Sequence, residues 1–115
     1  MAAAVPPPHP QGTVRRSVEE GRTVLHLSGE IDSAVVAAYE SPQGSGGSDP
    51  GRSRAVSIVD ASAVTFMASV GIGLILRETE ATRRDGRRPV LRRPTAPVRR
   101  VLSLTGLDGV FDVTD

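Results

Sequence analysis

The sequence contains no cysteine, so neither a disulfide nor a thiolate-bound metal is open to it. It contains no lysine either. All 14 basic residues are Arg, which points to a biased coding composition more than to a mechanism. Histidine occurs only at positions 9 and 26, too few for a histidine-built metal site. The aromatics are reduced to Tyr39, Phe66 and Phe111, so a core has to be assembled from Val, Leu, Ile and Ala and stays modest. No apolar run approaches the roughly 20 residues that span a bilayer. The opening MAAAVPPPHPQG has no Arg or Lys ahead of a hydrophobic stretch and makes a poor secretion signal. The expected location is the cytoplasm, without membrane insertion. A formal net charge of +1 argues against a chain-wide electrostatic partner.

What is present fits one small α/β domain of 115 residues. Residues 1–12 are rich in Ala and Pro and are expected to be a disordered tail, leaving 13–115 as the domain. Thr13–Val18 and Thr23–Ser28 read as strands, with Glu19-Glu20-Gly21-Arg22 as a hairpin turn. Gly29 marks the end of the second strand. Asp32 or Ser33 then caps a short helix over Ala34–Tyr39, which Pro42 stops. Residues 42–54 (PQGSGGSDPGRSR) read as a flexible loop.

Ala55–Asp60 reads as a buried strand, followed by a loop and then a helix over Ser69–Arg84. Ile72, Ile75, Leu76 and Thr79 fall at i, i+3, i+4 and i+7, one apolar stripe. Val70, Leu74 and Ala81 lie on the other side. Gly86 suits the position just past the helix end. Pro89–Arg92 makes a further strand. Thr95–Pro97 opens a last helix, with Val98, Val101, Leu102 and Thr105 on its buried side and Gly106 at its end. Val110–Val113 is a candidate final strand. The order β-β-α-β-α-β-α-(β) predicts a mixed sheet with crossover helices.

Three segments carry a family resemblance. LSGEID (27–32), VDASAVTFMASVGIGLIL (59–76) and APVRRVLSLTGLDGVFDV (96–113) resemble, in order, motifs of the STAS domain family of the anti-sigma factor antagonist type. The resemblance spans 13–115 and implies a mixed sheet with helices packed mainly on one face. It also implies partner switching. The antagonist binds an anti-sigma factor, itself a serine kinase, and frees a sigma factor. The kinase then phosphorylates a serine at the start of the second helix, and a phosphatase resets it. By motif position that serine is Ser69. Ala68 stands where the family places an acid, and Val70 where it places Ser or Thr.

Ser69 therefore has two readings, a helix cap and a phosphate acceptor. Asp32 is either a helix cap or a neighbour of Ser69 at the same sheet end. The partner surface implied is Asp32, Ala68, Ser69, Val70, Gly71, Gly73, Leu74 and Arg77. Asp60 reads as a turn residue bonding its own backbone. The Arg pairs 83/84, 87/88, 92/93 and 99/100 read as a solvated face, not a nucleic-acid site, because no aromatics are interleaved with them. No catalytic residue, metal or cofactor is implied. Two alternatives stand beside the switch. One is a STAS adaptor or transport-complex accessory subunit that binds constitutively. The other is a nucleotide-binding STAS module at the same strand-end surface.

Overall fold

The two N-terminal β-rich runs form a hairpin, β1 (Gly12–Glu19) and β2 (Arg22–Ile31), paired antiparallel. Its turn needs two residues with positive φ, and Glu20 and Gly21 supply them at 51° and 78°. The structure is a computed structural model that describes residues 11–41 and 55–115. The expected tail, apart from Gln11 and Gly12, and the expected loop at 42–54 lie outside those residues.

β2 does not stop at Gly29. That residue has a φ of 73°, and the strand runs on for two residues past a shift in register with β3. A Cβ at Gly29 would come within 3.0 Å of the Gly12 Cα, so the crossing of the two strands requires glycine there.

Asp32 caps α1 (Ser33–Glu40), its carboxylate accepting the Val35 N–H at 3.0 Å. β3 spans Val56–Met67 and runs parallel to β2. The loop expected after Asp60 is strand. Asp60 is accordingly a mid-strand residue and not a turn, although its carboxylate does accept the Ser62 N–H and O–H.

α2 (Ser69–Arg84) follows after a single residue. Gly86, with a φ of 79°, ends it, and the Arg87 N–H returns to the Thr82 carbonyl at 3.2 Å. Then come β4 (Val90–Arg92), α3 (Ala96–Thr105) with Pro97 in its first turn and Gly106 at its end, and β5 (Asp112–Thr114). The strands lie in chain order β1-β2-β3-β4-β5, and every pairing after the first is parallel. Parallel strands stepping in one direction through right-handed crossovers put all their helices on one face. α1 packs on β1 and β2, α2 and α3 on β3, and α2 touches both other helices.

The core lies between sheet and helices. Leu25, Leu27, Ile31, Val56, Val59, Val64 and Leu91 face Val35, Val36, Ile72, Leu74, Ile75, Val98 and Leu102 across it. Beside this core Arg16 of β1 meets Tyr39 of α1 and Glu78 of α2. Arg16 donates to the Glu78 Oε1 through Nη2 at 2.9 Å and to the Tyr39 hydroxyl through Nε at 3.0 Å, and that hydroxyl donates to Glu78. Burial and the Glu78 carboxylate hold the Tyr39 phenol far above its ordinary pKa.

Candidate functional site

β2 and β3 end together. Ile31 pairs with Met67, and the Ala68 N–H donates to the Ile31 carbonyl at 2.9 Å. The next residue of each strand begins a helix, so Asp32 and Ala68 sit side by side at the C-terminal ends of parallel strands. This is where α/β folds collect functional groups.

Ala68, not Ser69, is the N-cap of α2, and no side chain caps that helix. Ser69 is its first helical residue. It is exposed, and its hydroxyl bonds no described residue. The capping role is thereby removed, and the hydroxyl is left facing solvent. No acid occupies the first turn. The dipole and free N–H groups there favour an added anion.

The expected partner residues divide. Asp32, Ala68, Ser69, Val70 and Gly73 keep exposed or half-exposed surface, with Val70 at 36%. Arg77 is exposed and bridges to Glu40 of α1 at 2.9 Å. Leu74 is 0% exposed and Gly71 is buried, so neither can touch a partner. α2 lies between α1 and α3 as well as on the sheet, and it buries a wider arc than one stripe. At Gly71 a Cβ would crowd the Met67 sulfur and approach the Ile31 Cγ2 to 2.8 Å. Its role is to let the helix start close over the two strand ends.

The sequence reasoning missed a neighbouring groove. A cavity of about 350 Å³ opens between the end of β3 and the start of α3, lined by Thr65, Phe66, Met67, Ala96, Pro97, Arg100 and Val101. Phe66 is 48% exposed at its mouth, three positions before Ser69. The signal was available: one of only three aromatics stands in the stretch leading to the serine.

The helix-free face of the sheet carries a second polar cluster. Arg92 donates to Asp60 through Nε at 2.8 Å and reaches both Glu19 oxygens at 3.2 Å. The Arg92 contact holds the Glu19 carboxyl below its usual pKa. At Asp60 burial pushes upward, but bonds from Ser62 and Arg92 outweigh it and the net shift is down. His26 is lowered by burial and by Arg15. Its Nε2 lies 2.7 Å from the Ser17 hydroxyl. This pair is not a hydrolase dyad in the usual arrangement, because the Asp60 oxygens go to Ser62 and Arg92 and do not orient the ring. Of the arginine pairs, Arg84, Arg87, Arg88, Arg93, Arg99 and Arg100 are exposed, as a solvated face requires, and Arg83 and Arg92 are half-buried. Arg83 bonds the Leu76 carbonyl, Arg88 the Gly109 carbonyl, and Arg99 bridges to Asp115.

The site thus sits on a five-stranded mixed sheet with three helices on one face, and a serine opens the second helix. Residues 14–114 match the family model described as Mlab, STAS domain, and the chain belongs to the STAS family. Among solved structures it is similar to an anti-sigma factor antagonist from Mycobacterium paratuberculosis. Identity is 30%, the TM-score 0.63, and the match covers 91% of this chain and 87% of that one. It is also similar to the anti-sigma factor antagonist SpoIIAA in its unphosphorylated form, at 25% identity and a TM-score of 0.60, over 89% and 88% of the two chains. Among curated proteins, none matches significantly. Among the described residues no helix is long and apolar enough to cross a membrane.

Proposed function

We propose that this protein is an anti-sigma factor antagonist that acts by binding in the cytoplasm, and that Ser69 is its switch. The observation that carries the reading is the exposed, uncommitted hydroxyl of Ser69 at the first position of α2, beside Asp32 and next to an exposed Phe66. The unphosphorylated pole of Asp32, Phe66, Ala68, Ser69 and Val70 docks on an anti-sigma factor that is itself a serine kinase, and a sigma factor is freed. Phosphorylation adds roughly −1.5 to −2 charge and three acceptor oxygens. The helix start tolerates that charge, so the new bulk and charge act at the interface and expel the partner. A phosphatase restores the binding form. The two antagonists to which the chain is similar support the role.

The test begins with the kinase captured from cell extract on the immobilised protein. Incubation with ATP should add one phosphate, Ser69→Ala should abolish the gain, and Ser69→Glu should release the captured kinase. Phosphate found only at other residues would refute the assignment.

A second reading rests on Ala68 and Val70. Without an acid beside the serine, the same pole serves an adaptor that binds constitutively, including an accessory subunit of a membrane transport complex. It expects capture that ATP and kinase leave unchanged. Loss of the partner from Ser69→Glu would count against it.

A further inference from the structure

The far end of the domain holds a cavity that the reading above does not use. It measures about 260 Å³ and is lined by Gly21, Arg22, Ser57, Thr82, Arg87, Arg88 and Val90. The hairpin turn supplies Arg22, the starts of β3 and β4 supply Ser57 and Val90, and the segment after α2 supplies the other two arginines. Ser69 and this cavity lie at opposite ends of a helix of 16 residues, about 24 Å long at 1.5 Å per residue.

Among the described residues, three arginines line the cavity and no acidic residue does. Arg22 and Arg87 make no side-chain hydrogen bond or ion pair with a described residue. The cross-strand neighbour of Arg22 is Glu19, whose carboxylate lies against Arg92 and His26 and makes no bond to Arg22. Arg88 donates one N–H to the Gly109 carbonyl, which anchors the side chain and leaves its other donors unused. The Thr82 hydroxyl is spent on the Val56 carbonyl at 2.8 Å, whereas the Ser57 hydroxyl bonds no described residue. Clustered, unpaired guanidinium forks repel one another, and the ligand that best relieves them is an oxyanion accepting paired N–H donors. Among the described residues the lining has no aromatic ring on which a base could stack, and more of its surface is polar than apolar.

We infer that this cavity is a binding site for a compact phosphate-bearing polyanion, of which a diphosphate group is the fitting size and charge. Arg22, Arg87 and Arg88 supply the charge and Ser57 a neutral donor. The site is separate from the Ser69 pole, so its occupant does not compete with a protein docked there.

Calorimetric titration of the full chain with pyrophosphate at low ionic strength tests this. Saturable one-to-one binding is expected, weakening as salt is raised. The double variant Arg22→Gln, Arg87→Gln removes exposed side chains without described partners, so it should fold as the parent does. It should bind about tenfold more weakly or worse, the loss expected for a missing charge-assisted contact. The double variant Arg99→Gln, Arg100→Gln makes the same change in net charge elsewhere and should stay within about twofold of the parent. Flotation with phosphatidylglycerol vesicles distinguishes the sources of phosphate. Vesicle binding without pyrophosphate binding, lost in the first variant only, assigns a lipid headgroup; pyrophosphate binding assigns a soluble ligand. Equal losses in both variants, or binding of neither probe by the parent, would overturn the site.

Discussion

Replacing Tyr39 with Phe removes one oxygen from the centre of the Arg16–Tyr39–Glu78 contact and changes little else. Glu78 keeps both Arg16 donors, at 2.9 and 3.1 Å, so no buried charge is stranded. The loss is a hydrogen bond to a charged group, about 2 kcal/mol, or roughly 8 °C in Tm for a domain of this size. Glu78→Leu differs in kind. It takes the Glu78 carboxylate away from the Arg16 guanidinium, whose side chain is only 12% exposed, and should cost more than Tyr39→Phe. Urea unfolding of the three proteins measures both losses. The same contact has a pH signature. The folded pKa of Tyr39 lies above the unfolded value, so its contribution is fully present below about pH 10 and is lost as pH rises through the folded pKa. Tyr39 is the only tyrosine and the chain has no tryptophan, so tyrosinate absorbance reports this residue alone. Absorbance should stay flat through pH 10 and appear together with unfolding. Ionisation near pH 10 in a protein whose circular dichroism is unchanged would refute the buried contact, as would a Tyr39→Phe protein as stable as the parent.

Gly71→Ala should destabilise by about 1–3 kcal/mol through overpacking against Ile31 and Met67, and it should weaken partner capture because it lifts the start of α2. Chemical denaturation and a pull-down check the two effects. Leu74→Ala should cost about 2–5 kcal/mol as a core cavity, whereas Val70→Ala should change stability by under about 1 kcal/mol yet reduce binding; the reverse pattern would restore Leu74 to the surface. His26 has a lowered folded pKa, so its contribution is present above its unfolded value near 6.5 and is lost as pH falls through the folded pKa. His26→Gln should flatten the stability curve in that window, while the lowered Glu19 and Asp60 keep a second loss at lower pH. Thermal unfolding across pH 3–8 follows both limbs.

Punctuation by glycine and apolar spacing carried much of the fold. Gly21, Gly86 and Gly106 all take the positive φ that their turns and helix ends require, and the bounds of α2 are those read from its pattern. Reading failed where tertiary pairing overrides local preference. Ala61-Ser62-Ala63 has weak strand character, yet it continues β3 because β2 extends alongside it. Gly29 looks like a stop, but it is a bend inside a strand that continues to pair. The places of Ser69 and Asp32 at helix starts were legible because a strand end followed by a helix start is a local pattern. The burial of Leu74 was not, because a helical stripe describes one contact face and α2 has neighbours on three sides. The Phe66 groove joins segments about 30 residues apart, and no local pattern announces such a meeting.

The sheet also bears on which contacts its edges allow. Its outermost strands are poor templates for another strand. β5 has only three residues, and β1 carries the charges of Arg15 and Glu19. Where β3 overhangs β4, the Thr95 hydroxyl takes the Val64 carbonyl at 2.7 Å, occupying a backbone acceptor on the open flank. Edge-to-edge polymerisation is therefore discouraged at each exposed margin. The side chains at the two ends of the helical layer stand off the sheet edges, so contacts made there would form and dissolve without rebuilding the sheet.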